Sequence, residues 1–401
     1  MDKALDDLTV LDLSRVLAGP YGTMVLGDFG AEIIKVEQPG QGDDTRQWGP
    51  PFTEHGQSAY FLSVNRNKRS ITLNLKSEEG RVILRQLAAQ ADVLIENFKV
   101  GVMDRLGLGY EELRAINPGL IYCSITGYGQ TGPYKNRPGY DTVIQAQGGL
   151  MSITGPTENG DDGQPFKVGV AIVDVSAGLF AVIAILSALH HRQRTGQGQQ
   201  IDIALFDAQL GWLANVASNY LVSGQTPGRY GNAHGTIVPY QTFATADGHL
   251  MLAVGNDGQF RALCGAMGIE DLADDARFVT NPKRVENRAA LVPRLAEYFC
   301  LQPTRFWIER LLDVNVPCGP VADIPTALSN PQAQARGMVQ QVVDSAGDEI
   351  SMVGPVIKMS GTPPAIYSAP PHLGEQTAEV LQEKLGFDTE KIEELRRAGV
   401  V

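Results

Sequence analysis

Apolar and polar positions follow two alternating rhythms through the first half of the chain. Short runs rich in β-branched residues, LTVLDL (8–13), EIIKVE (32–37), SITLNL (70–75), DVLIEN (92–97), LIYCSI (120–125) and QQIDIAL (199–205), read as strands. Between them lie segments with helical spacing. SEEGRVILRQLAAQ is one of these: Ser77 stands as an N-cap, Glu follows in the first turn, and Val82, Ile83 and Leu87 share one side. This alternation predicts an α/β fold with an open, mostly parallel, Rossmann-like sheet and helices on both faces. LFDAQLGWLANVASNYLVSG reads as one long helix, and the turn-rich GQTPGRYGNAHG after it marks a boundary. YQTFATADGHLMLAVG then predicts a hairpin turning at Asp247 and Gly248. RAALVPRLAEYFC and RFWIERLLDVN have amphipathic spacing, and NVPCGPVADI reads as a loop with a short strand. Residues 330–371 carry the proline and glycine of a returning linker, and HLGEQTAEVLQEKLG and DTEKIEELRRAG read as two surface helices. The expected organisation is a large domain over 1–224, a smaller α+β domain over 225–329, and a linker with the rest of the large domain over 330–401.

One stretch breaks its own pattern. In FKVGVAIVDVSAGLFAVIAILSALHH, Asp174 is the only charge between Lys167 and His190. Leu179, Phe180, Ile183, Ile185, Leu186 and Leu189 recur behind it as a buried helix would require, with Asp174 or Ser176 at the N-cap position. The stretch is long enough to span a bilayer, but only 15 residues, Val175 to Leu189, follow the acid. A charge near a membrane centre costs roughly 2.5 to 3.5 kcal/mol, so a core helix is the better expectation. Two readings of Asp174 stay open: a capping acid, or a reactive carboxylate able to attack an activated acyl carbon and form an acyl-enzyme anhydride.

Composition narrows the field. A chain of 401 residues with 43% hydrophobic content can bury a full core in two domains. A net charge of -12 argues against nucleic acid or an anionic membrane surface as the main partner. Cys123, Cys264, Cys300 and Cys318 form no CxxC pair, which suggests neither a zinc site nor a disulfide framework and fits a reducing compartment. MDKALDDLTV has no apolar signal core and no basic transit character, so a cytoplasmic location is expected. Gly127, Gly129 and Gly132 spell GxGxxG after a strand, but Pro133 and Pro138 keep the following chain in a loop where a dinucleotide site needs a helix. Walker A, HExxH and GxSxG are absent. Arg15, Lys35, Arg46, Arg66, Lys68, Arg69, Arg105 and Arg137 sit at strand ends or in following loops, where open α/β sheets bind ligands, and together would offset a polyanion.

Eight strings in order carry a resemblance over nearly the whole chain: RVLAGP (15–20), GDFGAEIIKVE (27–37), SVNRNKRSI (63–71), ADVLIENF (91–98), SITGYGQTGP, VDVSAG around Asp174, TGQGQQIDIALFDAQ, and VPCGPV (316–321). They resemble the class III CoA-transferases, the formyl-CoA transferase-like family. The resemblance implies a large α/β domain built from both chain ends, a small domain between them, and an interlocked homodimer. It implies that Asp174 is the nucleophile, that coenzyme A arrives as an acyl-CoA substrate, and that no cofactor is held permanently. It also implies CoA contacts at Val16, Ala18, Leu73, Asn97, Phe98, Arg105 and Arg137. Leu17 and Gln38 depart from the glutamine and basic residue of formyl-CoA transferases, which disfavours formate and oxalate. GDDTRQWGPPF, YFLSVNRNK, IYCSITGYGQTGPY and GNAHGTIVPYQTF are similar to the succinate-hydroxymethylglutarate branch, implying C4 to C6 dicarboxylic acids as partners. Expected substrate contacts are Arg46 and then Arg66 as readers of the distal carboxylate, with Tyr140, Gly129, Gln130, His234 and Gly235. The loops Gly127 to Gly132 and Gly231 to Gly235 are candidate oxyanion donors. An acyl-CoA racemase of the same fold needs a histidine base where this chain has Gly139, Tyr140 and Asp141, and a neutral phenol is a poor proton acceptor. A non-catalytic acyl-CoA binding protein is the remaining alternative.

Overall fold

The computed structural model of the protein describes residues 2–157 and 163–401. The chain divides into two compact units, one of Met1–Leu150, Val168–Ala217 and Pro331–Val401, the other of Met151–Lys167 and Ser218–Asn330. Residues 151–167, which the sequence pattern groups with the large domain, therefore cluster with the small one.

The first unit is built on a six-stranded sheet in the order β3-β2-β1-β4-β5-β6, every neighbouring pair parallel. Its strands are β1 (Thr9–Asp12), β2 (Glu32–Glu37), β3 (Lys68–Thr72), β4 (Val93–Glu96), β5 (Ile121–Thr126) and β6 (Gln200–Ala204). Each predicted run contains or overlaps one strand. The third starts two residues earlier than the apolar pattern suggests, because Lys68 and Arg69 enter the ladder opposite Ile33 and Ile34. Four helices matter below: α1 (Ala18–Asp28), α2 (Glu78–Ala88), α3 (Asp141–Gln147) and α4 (Ile172–Thr195). In α2, Ser77 accepts the Gly80 N–H at 3.0 Å, the expected cap.

Both faces of the sheet are covered, as parallel sheets require. On one, Val10, Ile33, Val93, Ile121 and Cys123 pack with Leu26 of α1 and Ala177, Ala181 and Ile185 of α4. On the other, Leu11, Ile34, Ile71, Leu94 and Tyr122 pack with Ile83 and Leu87 of α2, and with Val380, Leu381, Ile392 and Leu395 near the C-terminus. The large unit is thus made from both chain ends. The helices Thr377–Leu385 and Thr389–Arg397 are amphipathic, each burying one stripe. Residues 330–371 are more than a linker, since β10 (Val339–Val343) and β11 (Glu349–Val353) pair there as an antiparallel hairpin.

α1 and α4 pack closely through glycine. A Cβ on Gly178 would stand 2.4 Å from the Ala18 carbonyl oxygen, and one on Gly22 would stand 2.9 Å from that of Gly178. α4 is also the one helix among the described residues long and apolar enough to cross a membrane. Half of its most apolar window is buried against this unit, while Leu179, Phe180, Ile183 and Leu186 remain exposed. The long helix expected after β6 breaks at Ala214, where φ is 40°, into Leu205–Trp212 and Ala214–Ser223.

The second unit contains a three-stranded sheet, β7 (Tyr240–Ala244), β8 (His249–Ala253) and β9 (Cys318–Pro320), all antiparallel. The β7–β8 turn holds Asp247 and Gly248, closed by the Thr245 N–H on the Gly248 oxygen at 2.9 Å. Its core joins Phe243, Leu250 and Leu252 to Leu291 and Leu295 of Arg288–Phe299 and Trp307 and Leu311 of Thr304–Leu312. Fully buried Arg284 ties it together by donating to the Val238 and Phe278 carbonyls at 2.7 and 2.9 Å.

Candidate active site

α4 begins at Ile172, so Asp174 lies in its first turn and is not its cap. The residue at the cap position, Ala171, offers no side-chain acceptor. The free N–H groups of a helix start need acceptors, and here a second acid supplies one. Asp141, the first residue of α3, takes the Val173 N–H at 2.8 Å and the Asp174 N–H at 3.3 Å on one oxygen, and the Gln145 amide on the other. Asp174 is thereby freed from capping. Burial, and then the nearby charge of Asp141, push its carboxyl from 3.8 up to about 7. Ser176 is not the cap either, since its hydroxyl donates back to the Ile172 carbonyl at 2.6 Å.

The strand order reverses between β1 and β4, and the loops after those strands diverge there, which is where open α/β sheets carry their ligand crevice. A cavity of about 210 Å³ contains Asp174 and is walled by Arg15–Ala18 after β1, Asn97–Val100 after β4, Gly127 after β5, and Lys135–Tyr140 before α3. A second cavity of about 280 Å³ shares Arg15 and Phe98 with it and adds Gln38, Leu73, Leu75 and Lys76. The structure therefore gathers Val16, Ala18, Asn97, Phe98, Arg137 and Tyr140 around Asp174, with Leu73 in the adjoining cavity. Lys99, Lys135, Arg137 and Arg15, the last paired at 3.1 Å with Asp44 on the same wall, give the crevice a mainly cationic lining suited to a polyanion. Arg105 lines neither cavity and ends the short helix Val102–Arg105, exposed.

Several expected contacts are used elsewhere. Arg46 grips both oxygens of Glu37, at 2.7 and 2.6 Å, donates to the Pro371 carbonyl, and lies 3.7 Å from the centre of the Phe61 ring. Buried Arg66 grips both oxygens of Asp28, at 2.8 and 2.6 Å, and donates to the Val353 carbonyl. A fork engaged in this way is not free to grip a substrate carboxylate with both arms, and neither arginine lines the cavity that holds Asp174, which disfavours both as distal-carboxylate readers. Lys35 and Lys68 are likewise internal, paired with Asp43 at 2.9 Å and Asp12 at 3.0 Å, all four side chains inaccessible. Arg69 holds Glu32, Glu379 and Glu383. Of the Gly127 to Gly132 loop, the Gly129 N–H is taken by the Thr126 hydroxyl and the Gln130 N–H by Asp202, each at 2.9 Å, which removes both as oxyanion donors. His234 and Gly235 belong to the second unit, where their carbonyls accept Arg288.

Asp141 and Asp43 at the site, and Tyr60 near it, were missed from sequence. Asp141 stands beside Tyr140 at the start of a short helix with no periodic pattern to single it out. Tyr60 lines neither cavity, but its phenol is pushed up by burial and then by the charges of Asp174 and Asp141. Asp43, held at about 2 by Lys35 against the opposing effect of burial, accepts the Val16 N–H at 3.2 and 3.3 Å. Val16 itself has a φ of 71°, left-handed, which for a β-branched residue costs of order 1 to 3 kcal/mol.

A family model for CoA-transferase family III matches residues 5–377. The chain belongs to CoA-transferase family III. It is 45% identical over 399 residues to the succinyl-CoA:glutarate CoA-transferase of Mus musculus, covering 100% of this chain and 90% of that one. It is 48% identical over 389 residues to the succinate–glutarate CoA-transferase of Agrobacterium fabrum, covering 94% of this chain and 95% of that one. Among solved structures, a CAIB/BAIF family protein from Brucella suis superposes with a TM-score of 0.86 at 49% identity, covering 96% of this chain and 100% of that one. The crevice at the β1/β4 switch point thus sets the Asp174 carboxylate beside cationic side chains that suit a polyanion such as CoA.

Proposed function

We propose that the protein moves CoA between dicarboxylic acids, with succinyl-CoA as donor, a C4 to C6 dicarboxylate such as glutarate as acceptor, and Asp174 as nucleophile. The observation that carries this reading is the carboxylate of Asp174 in a cationic crevice, its helix start already capped by Asp141. The Asp174 carboxylate attacks the donor thioester carbon, forming an aspartyl-acyl anhydride and expelling CoA as thiolate. The thiolate then attacks the Asp174 carbonyl of the anhydride, giving an aspartyl-CoA thioester and releasing the donor acid. The acceptor carboxylate attacks that thioester to form a second anhydride, and the returning thiolate takes the new acyl group and restores Asp174. Arg15, Lys99, Lys135 and Arg137 offset the CoA phosphates. The chain is proposed to work as a homodimer, for which the exposed apolar face Leu179, Phe180, Ile183 and Leu186 of α4 is a fitting contact surface.

Tyr140 stands where a racemase of this fold has its histidine, and the residue is 70% exposed. A neutral phenol there leaves α-proton exchange without its base. The deciding experiment incubates purified protein with succinyl-CoA and a panel of acids, with CoA esters read by mass spectrometry. Glutaryl-CoA should form, wild-type protein given donor alone should gain the mass of CoA, and hydroxylamine should remove it. Asp174→Asn should fold and lose transfer. A folded Asn variant that retains a tenth of the activity would refute the nucleophile assignment.

A further inference from the structure

The Arg15–Val16 peptide is gripped at both ends. Its oxygen accepts from the Asn97 amide nitrogen at 2.7 Å, and its N–H points at the Asp43 carboxylate at 3.2 and 3.3 Å. Asn97 closes a ring with the same residue, its amide oxygen taking the Arg15 N–H at 2.9 Å. Both groups of the Asn97 side chain are therefore engaged by the Arg15 backbone. Asp43 is itself immobilised by Lys35 at 2.9 Å and by the Thr45 N–H and hydroxyl at 3.0 and 2.8 Å.

The residue after this peptide is Val16, with its left-handed φ of 71°. Rotation of the Arg15–Val16 peptide plane changes ψ of Arg15 and φ of Val16 together, so it is the motion that would relieve the strain. It is also the motion that these hydrogen bonds oppose. Arg15–Ala18 and Asn97–Val100 are two walls of the crevice that holds Asp174, so the clamp joins the loop after β1 to the loop after β4 across the switch point.

We propose that Asn97 and Asp43 are positioning residues that lock Val16 in its left-handed conformation and so hold the Arg15–Ala18 wall of the CoA crevice in its binding shape. This rests on the CoA-transferase reading and deepens it: the family likeness marks Asn97 as a CoA contact, whereas the geometry gives its side chain a different task. A glycine at position 16 adopts that φ without strain and has less need of the clamp.

The test is a double-mutant cycle of Asn97→Ala and Val16→Gly, reading CoA affinity by calorimetry and kcat/KM for succinyl-CoA, with thermal midpoints to separate loss of folded protein. In the valine background Asn97→Ala should lower kcat/KM about tenfold or more, and in the glycine background less than about threefold, because the strain that drives the wall to relax is gone. Asn97→Asp, which keeps the acceptor for the Arg15 N–H but loses the donor to its oxygen, should show the same dependence on residue 16 and serves if the alanine variant folds poorly. Hydrogen exchange of a peptide spanning residues 14–18 should quicken in the Asn97 variants without ligand. Equal losses in both backgrounds, with CoA still bound by the wild type, would overturn the clamp and make Asn97 a direct ligand contact. Wild-type protein that takes up no CoA would overturn the functional reading and the clamp with it.

Discussion

Asp174 shares the start of its helix with a second acid, and that pairing sets how the site responds to pH. With its carboxyl at about 7, transfer should rise as pH increases through neutrality and level off above it, since only the ionised form attacks. Asp141→Asn removes the neighbouring charge and should move this limb to lower pH; a pH profile of kcat/KM for both proteins checks it. The same shift has a consequence for stability, of opposite sign to a salt-bridged acid. A carboxyl raised from 3.8 to about 7 in the folded protein favours folding below about pH 4, and that contribution is lost as pH rises through 7. Asp174→Asn should therefore melt above the wild type at pH 8, with the gap closing towards pH 4. A gap that stays constant over this range would show that the acid is not the cause.

At the scale of elements, the contact between α1 and α4 couples packing to chemistry. Gly178 sits one turn beyond Asp174, and a Cβ on it would meet the Ala18 carbonyl at the start of α1, where the Arg15–Ala18 wall ends. A methyl group there would meet backbone, which cannot swing aside. Gly178→Ala should cost about 1 to 3 kcal/mol of stability, the range for overpacking a tight core, and should lower CoA affinity by displacing Ala18. Denaturant unfolding with CoA titration tests both. Alanine at Gly211, which has open space around its Cβ position, is the control.

For the whole molecule, the exposed apolar residues of α4 make a specific expectation. A dimer that buries Leu179, Phe180, Ile183 and Leu186 should sediment at about twice 43.2 kDa, and Ile183→Glu should shift it towards the monomer. Unchanged sedimentation of that variant would place the interface elsewhere. Beneath the crevice, the inaccessible pairs Asp12–Lys68 and Lys35–Asp43 tie the end of β1 to the start of β3, and β2 to the loop that follows it. Burial lowers Lys68 to about 8, with Asp12 opposing it. Removing one partner of such a pair leaves the other charge uncompensated, which costs about 3 to 5 kcal/mol. Each pair is thus sensitive to the loss of a single member, although an apolar pair of the same shape would hold the strands as well.

The linear pattern was sufficient for the parallel sheet and for singling out Asp174, because strand periodicity and a lone acid in an apolar stretch are local signals; the contribution of both chain ends came from the family resemblance. The resemblance, not periodicity, pointed to Val16, Ala18, Asn97 and Phe98, which the structure gathers around the crevice that holds Asp174. The linear pattern could not say which cations face the ligand. Arg46, Arg66, Lys35 and Lys68 look alike in sequence to Arg15 and Arg137, and only their partners, Glu37, Asp28, Asp43 and Asp12, turn them inward. Nor could it assign the helix cap, since Asp141 reaches the start of α4 from 32 residues away in sequence. Periodicity reports what a residue's own element does with its side chain. Which acid meets which base, and which peptide is pinned in a strained conformation, is decided where elements distant in sequence converge, and that convergence at the β1/β4 switch point is what the tertiary structure added.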